Sequence, residues 1–217
     1  MTIASRRRAL MAVKEKEEGI PSEYQEVTYV AHKSSASNTQ ILTNIAVPNK
    51  YPTIVESKFY MTDYGDYHGH GAGFAKTSGS PAFAIDFERS TKLYVWNGSD
   101  IAGITASVQT KIAIVKITIN SDGFINEANI AGTDYVQTAT ATPASWTGNY
   151  ISIGVPNGNG NMRGRTYYLK VTQQGKVIAD LKPCYRKADS VIGMYDLVTR
   201  QFFPASGTWT KGADVTP

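Results

Sequence analysis

The sequence predicts an all-β, antiparallel sandwich or barrel, and three observations carry that prediction. Apolar and polar residues alternate with period two through several short stretches, as half-buried strands require. Loops rich in Gly, Asn, Ser or Thr separate these stretches, with no helical spacing between them. The composition agrees: 217 residues with 13 Tyr, 41% hydrophobic and only 18% charged residues. Aromatic and β-branched side chains suit a pleated, half-buried surface, and a chain of this length can bury a sizeable core without staples.

The clearest strand is 82–88, where Phe83, Ile85 and Phe87 alternate with Ala84, Asp86 and Glu88. Arg89-Ser90-Thr91 follows as a turn, and 92–97 alternates again. A three-residue hairpin loop between Glu88 and Lys92 sets Phe87 against Leu93 and Ile85 against Val95 on one face. On the other it sets Asp86 against Tyr94 and Ala84 against Trp96. The apolar residues fall together in this register, and a one-residue slip would scatter them. Segment 111–119 places Ile112 and Ile114 on one face and Val115, Ile117 and Ile119 on the other. Segment 167–172 alternates Tyr167, Leu169 and Val171 against Tyr168, Lys170 and Thr172, and Gln173-Gln174-Gly175 turns it into 176–181. Further strands are expected at 27–31, 40–43, 54–61 and 150–155, and loops at 34–38, 63–70, 133–149 and 157–163.

Ahead of the strands, residues 2–18 read as a short helix rich in Ala, Arg, Lys, Glu, Leu and Met, all good helix formers. Thr2 or Ser5 can cap its start, Gly19 suits its stop and Pro21 prevents continuation. An isolated helix of this length is marginal in water, so it is expected to be stable only when docked. The expected organisation is therefore a helical anchor over 1–19 and one domain over 20–217.

The net charge of +4, from 22 Lys and Arg against 18 Asp and Glu, is too small and too scattered for a nucleic-acid binder, which concentrates cations on one face. Arg6-Arg7-Arg8 is the one tight run, and a looser group joins Arg163, Arg165, Lys170, Lys182, Arg186 and Lys187. No apolar stretch approaches the ~20 residues of a membrane span. The run Ala9-Leu10-Met11-Ala12-Val13 is too short for the ~7–15 residues of a secretory core with a cleavage site behind it. Synthesis in a cytoplasm without a signal peptide, and neither nucleic acid nor membrane as partner, are the expectations. The one cysteine, Cys184, cannot form an intramolecular disulfide and is expected to be a buried structural thiol.

Two places could carry chemistry. The outward face of the 82–97 hairpin groups Asp86, Glu88, Tyr94 and Trp96. Flat rings beside carboxylates that accept hydrogen bonds from hydroxyls form a candidate glycan surface; the alternative is that the rings bury against neighbouring segments. Segment 63–70 adds Tyr67 and His68 as a candidate contact loop. It also holds possible metal ligands, but without HExxH, a cysteine pair or EF-hand spacing, no metal and no cofactor is expected. No GxSxG elbow is present.

Three groups of residues resemble a known family. IPSEYQEVTYV at 20–30, followed by TQILTNI at 39–45, resembles an opening of the type LPSGYxEVEYIESTGTQYIDTGI. KVTQQGKVIADLKPC at 170–184 resembles KIYDNGTLVRDFIPC. Tyr185-Arg186-Lys187, IGMYDLV at 192–198, Phe202-Phe203 and GTWTKG at 207–212 resemble the ending of the same pattern. Together they resemble the concanavalin A-like, or laminin G-like, jelly-roll module of phage structural proteins and prophage-encoded surface proteins of gut bacteria. The resemblance implies a two-sheet antiparallel jelly-roll sandwich that displays loops and a sheet face to a partner. It implies no reaction, so function must be argued at the site. Jelly-roll β-glucanases resemble one another in a Glu-Ile-Asp-Phe-Glu strand whose carboxylates lie on one face. Here the stretch reads Ala84-Ile85-Asp86-Phe87-Glu88, and Ala84 has no oxygen with which to attack.

The reading that follows is a non-enzymatic virion protein on the surface of a phage particle, a capsid fibre or decoration protein displaying a lectin-like jelly roll that binds glycans. A tail-associated receptor-binding protein is the alternative, and a jelly-roll glycoside hydrolase the second. A dimer or trimer is expected. Arg6, Arg7 and Arg8 would fork onto carboxylates of a capsid partner, with Leu10, Met11 and Val13 supplying apolar contact.

Overall fold

The computed structural model of the chain describes residues 19–32, 40–63, 68–76, 81–88, 91–154 and 163–216, with backbone alone at 63, 68–70 and 88. The expected helix over 2–18, with Arg6, Arg7, Arg8, Leu10, Met11 and Val13, lies outside the described residues, as do Tyr67 and the loop at 34–38.

The described residues form strands β1 (Tyr24–Glu26), β2 (Val30–His32), β3 (Ile41–Ala46), β4 (Thr53–Asp63), β5 (His68–Ala75) and β6 (Phe83–Glu88). Then follow β7 (Lys92–Trp96), β8 (Asp100–Thr105), β9 (Ile112–Ile119), β10 (Gly123–Ile130), β11 (Thr133–Thr140) and β12 (Tyr150–Ile153). The last are β13 (Arg163–Gln173), β14 (Lys176–Arg186), β15 (Ile192–Asp196), β16 (Gln201–Pro204) and β17 (Trp209–Lys211). They build two antiparallel sheets. The larger runs β11-β10-β9-β4-β13-β14-β15-β16, with β1 on the end of β14 and β2 joining the start of β13 to β17. The smaller runs β3-β12-β5-β6-β7-β8.

The two sheets face each other through alternate side chains. Val115, Ile117 and Ile119 point inward from β9 and are buried, whereas Ile112 and Ile114 stay exposed on the opposite face, as the alternation predicts. Phe59 of β4 meets Phe87 of β6 edge-on across the core, 5.5 Å between centroids. Phe74 packs on Phe83 at 4.9 Å and on Trp146 at 5.5 Å. Such pairs contribute about 0.5–1.5 kcal/mol each beyond area burial. Gly71 is the extra residue where the β5–β6 register shifts. A Cβ there would stand 3.0 Å from both the Phe59 and Phe87 rings, so a side chain at this bulge would require both rings to give by a few tenths of an ångström.

The β6–β7 register is the expected one: Phe87 opposite Leu93, Asp86 opposite Tyr94, Ile85 opposite Val95 and Ala84 opposite Trp96. The β13–β14 turn is shorter than the sequence suggests. It consists of Gln174 and Gly175, both with positive φ (50° and 78°), the two-residue arrangement whose twist matches the flanking strands.

Four expectations are corrected. Segment 63–70 is not all loop, because β5 begins at His68, and 133–149 opens with the eight-residue strand β11. Strand 27–31 is instead split: β1 ends at Glu26, Val27 bridges to Asp214, and β2 resumes at Val30. Tyr167 does not share a face with Leu169 and Val171. The register of β13 on β4 slips between Thr166 and Tyr168. This bulge leaves Tyr167 and Tyr168 both half-buried, while Leu169 and Val171 stay in the core. Two consecutive residues on one face are what a bulge produces.

Parts of the resembling stretches, 24–26, 180–186 and 192–203, meet in one seam. Tyr24, Gln25 and Glu26 pair with Arg186, Tyr185 and Cys184. The Tyr24 ring lies 5.2 Å from Tyr195 and 5.0 Å from Phe202. The buried Asp196 carboxylate accepts from the backbone N–H of Asp180 (2.6 Å) and of Thr199 (2.7 Å), which fixes the β15–β16 turn. These residues build the fold rather than a site.

Candidate functional site

The hairpin face singled out from the sequence is not an open surface. Asp86 is fully buried, which corrects the expectation of an outward carboxylate. It lies in the middle of the smaller sheet, between His70 of β5 and Tyr94 of β7. Tyr94 and Trp96 are half-buried. The Tyr94 ring lies against Gly103, where an added Cβ would stand 2.6 Å from it. Trp96 donates its indole N–H to the Pro81 carbonyl at 3.2 Å. The backbone register sets His68 opposite Glu88. Among the described residues no group of three or more His, Cys, Asp or Glu side chains could hold a metal.

The outer face of the larger sheet has a different character. Across five strands the register aligns Glu127, Lys116, Glu56, Lys170 and Asp180, alternating in charge. Lys116 pairs with Glu127 at 2.6 Å, and Lys182 reaches Asp180 at 3.2 Å. Opposite charges placed directly across strands fix register at a few tenths of a kcal/mol each, roughly 0.2–1. Beyond this ladder the face turns aromatic and cationic. Lys58 sits over the Tyr167 ring at 4.7 Å, and Tyr167 packs on Tyr29 at 5.7 Å. Arg165 lies 4.6 Å from the Tyr29 centroid and 4.9 Å from that of Tyr60. Its neighbours in register are Tyr60 on β4 and Ala31 on β2, and the rings of Tyr60 and of Tyr29, the residue before β2, flank the guanidinium.

At this end of the face a groove of about 270 Å³ opens, lined by Tyr29, His32, Thr62, Arg163, Arg165 and Thr210 among others. Strand β17 supplies one wall, because Thr210 pairs with Ala31 and Trp209 with His32. The Trp209 ring meets His32 edge-on at 4.9 Å, and its N–H is bonded to the Ser206 carbonyl. Thr62 donates to the Arg163 carbonyl at 2.9 Å. His32 is neutral at physiological pH: burial, then the nearby Arg163 charge, lower its pKa from 6.5 to about 4. The groove thus combines guanidinium donors, hydroxyls, a neutral imidazole and tyrosine rings.

None of these groove residues was assigned to a site from the sequence. The signal that could have found them is the spacing Arg163, Arg165 on one strand face, followed by Tyr167-Tyr168. Cys184 is buried as expected, and burial followed by Glu26 pushes its thiol up to about 12. A thiol so protonated is a poor nucleophile.

No protein-family model matches the chain, and no curated protein matches it in sequence. Solved structures do match. The native heptameric SAP-like pentraxin from Limulus polyphemus is 12% identical with a TM-score of 0.57, over 87% of this chain and 95% of the pentraxin. The full extracellular region of zebrafish Gpr126/Adgrg6 is 13% identical with a TM-score of 0.51, over 86% of this chain and 26% of that one. The exoplasmic/lumenal domain of VIP36 in its Ca²⁺/Man3GlcNAc-bound form is 12% identical with a TM-score of 0.48, over 72% of this chain and 90% of that one. The fold is an antiparallel, concanavalin A-like jelly-roll sandwich.

Proposed function

We propose that this chain is a non-enzymatic, glycan-binding jelly-roll protein displayed on the surface of a phage particle, as a capsid fibre or decoration protein. The observation that carries the binding half is the groove between Arg165, Tyr29 and Thr210, open on the outer face of the larger sheet. A few oriented polar groups beside apolar rings are what a saccharide site needs. Ala84 in place of a nucleophile, and the burial of Asp86, support a binding rather than a hydrolytic role. The resemblance of the paired seam to phage structural modules supports the virion placement. Residues 1–19, with Arg6, Arg7 and Arg8, are proposed as the attachment segment.

Two measurements test this. Purified particles should contain the chain, and deleting residues 1–18 should leave the β-fold intact by circular dichroism while removing it from particles. Truncated protein at full occupancy on particles would refute the anchor. On a broad glycan array the full chain should bind at least one saccharide and hydrolyse none. A silent array, or turnover abolished by Glu88→Gln, would refute the binding reading.

A further inference from the structure

Resting on the reading of the chain as a glycan-binding module, we infer that the Arg165 groove selects a carboxylated sugar, a uronic or sialic acid unit, and that Arg165 is the residue that sets this preference.

The argument starts from how Arg165 is held. Its guanidinium lies between Tyr29 and Tyr60, and among the described residues no hydrogen bond or ion pair consumes its N–H donors. Rings over a guanidinium fix its plane while leaving the edge donors available. A planar fork held in that way matches a carboxylate, which it can grip through two parallel charge-assisted bonds. The same contacts make the arginine rigid before a ligand arrives, so less side-chain entropy is lost on binding.

The surroundings favour the same ligand. Lys58 stands at the same end of the face as Arg165, whereas Glu56, Glu127 and Asp180 are aligned with Lys116 and Lys170 in the charge ladder. Arg165 and Lys58 make this part of the face cationic, which draws in anions. His32 stays neutral beside Arg163 and so adds no further charge at neutral pH. The Thr62 and Thr210 side chains and the Tyr29 ring suit the hydroxyls and the apolar face of a sugar ring better than they suit a bare inorganic anion. At about 270 Å³, the groove lies just under the roughly 300 Å³ at which ligand pockets begin. It takes one unit of a saccharide, with neighbouring units lying along Tyr167 and Lys58.

The test compares the full chain on three probes by titration calorimetry at fixed salt: oligogalacturonate, the same oligomer with its carboxyls reduced to alcohols, and oligoglutamate. Binding of oligogalacturonate should weaken at least tenfold on carboxyl reduction, and at least tenfold with Arg165→Gln. Arg165→Lys should not restore it, because an ammonium cannot reproduce the fork. Thr62→Phe, on an exposed residue at the groove mouth, should block binding without touching Arg165 and guards against a folding artefact in the first variant. Arg186→Gln, whose partner is Asp189, should change nothing. Equal affinity for the acidic and reduced sugars would overturn this inference and leave the glycan-binding reading standing. Equal affinity for oligoglutamate, lost with Arg165→Gln, would show a generic polyanion surface and overturn it too. Failure to bind any member of a glycan array would remove both.

Discussion

His32 couples the groove to stability. Its folded-state pKa of about 4 lies below the ordinary 6.5, because burial and Arg163 disfavour the imidazolium. The unfolded chain therefore binds a proton between pH 6.5 and about 4 that the folded chain refuses, and stability falls as the pH drops through that window. The full effect is about 2 kcal/mol once solvent at the groove side is allowed for. His32→Gln should flatten this part of the profile, read as the difference between the urea midpoints of the two proteins from pH 7 to 4. Identical slopes would mean that His32 is not held neutral. The reason this histidine could not be picked out from the sequence is spatial. Its partners Trp209 and Arg163 are 177 and 131 positions away in the numbering, and nothing local in Ala31-His32-Lys33 announces them.

Elements were legible where their pattern was local. The β6–β7 hairpin could be registered residue by residue because Phe83, Ile85 and Phe87 alternate against Leu93 and Val95 with one short loop between. Strand β5 escaped because His-Gly-His-Gly-Ala-Gly-Phe-Ala has three glycines and no β-branched residue, and its Gly71 bulge breaks the period. Strand β11 escaped for another reason: it is an edge strand with both faces largely wet, so it has no buried side to produce alternation. That same edge is poorly guarded. Thr133–Thr140 holds one charged residue, Asp134, and neither lysine nor proline, and Val136 is 60% exposed. Natural edges are usually protected by such residues against pairing with another chain. We expect two copies to pair antiparallel through β11, an isologous contact that closes as a dimer. Light scattering of the wild type should give a dimer, and Val136→Lys should give a folded monomer. A wild type that stays monomeric at high concentration would sink this.

At the scale of the molecule, the fold class and the large antiparallel sandwich were readable from period-two segments and turn residues. The site was not, because its surface is assembled from β2, β4, β13 and β17, and because the bulge at Tyr167-Tyr168 shifts the phase of the alternation on which a face assignment depends. The resembling stretches report chiefly on the fold because Asp196, Tyr24 and Cys184 are engaged in pairing and packing at the seam, although Tyr29 and Thr210 at their ends also line the groove.

Strand β4 has a consequence for how the protein is made. It lies between β9 and β13, and Ser57 donates its hydroxyl to the Tyr168 carbonyl 111 positions later. At roughly 5–20 residues per second of translation, β4 waits on the order of 5–20 s for its neighbour to leave the ribosome. Strands β1 and β2 wait longer, for β14 and β17. During that interval Val55 and Phe59, destined for the core, remain unsheltered, and distant pairings of this kind form slowly even when all partners are present. Nascent chains stalled after residue 160 should therefore be digested by protease as readily as an unfolded chain, and protection should appear only once residue 211 has cleared the exit tunnel. Early protection of the 50–130 segment would show that the first half can shelter itself.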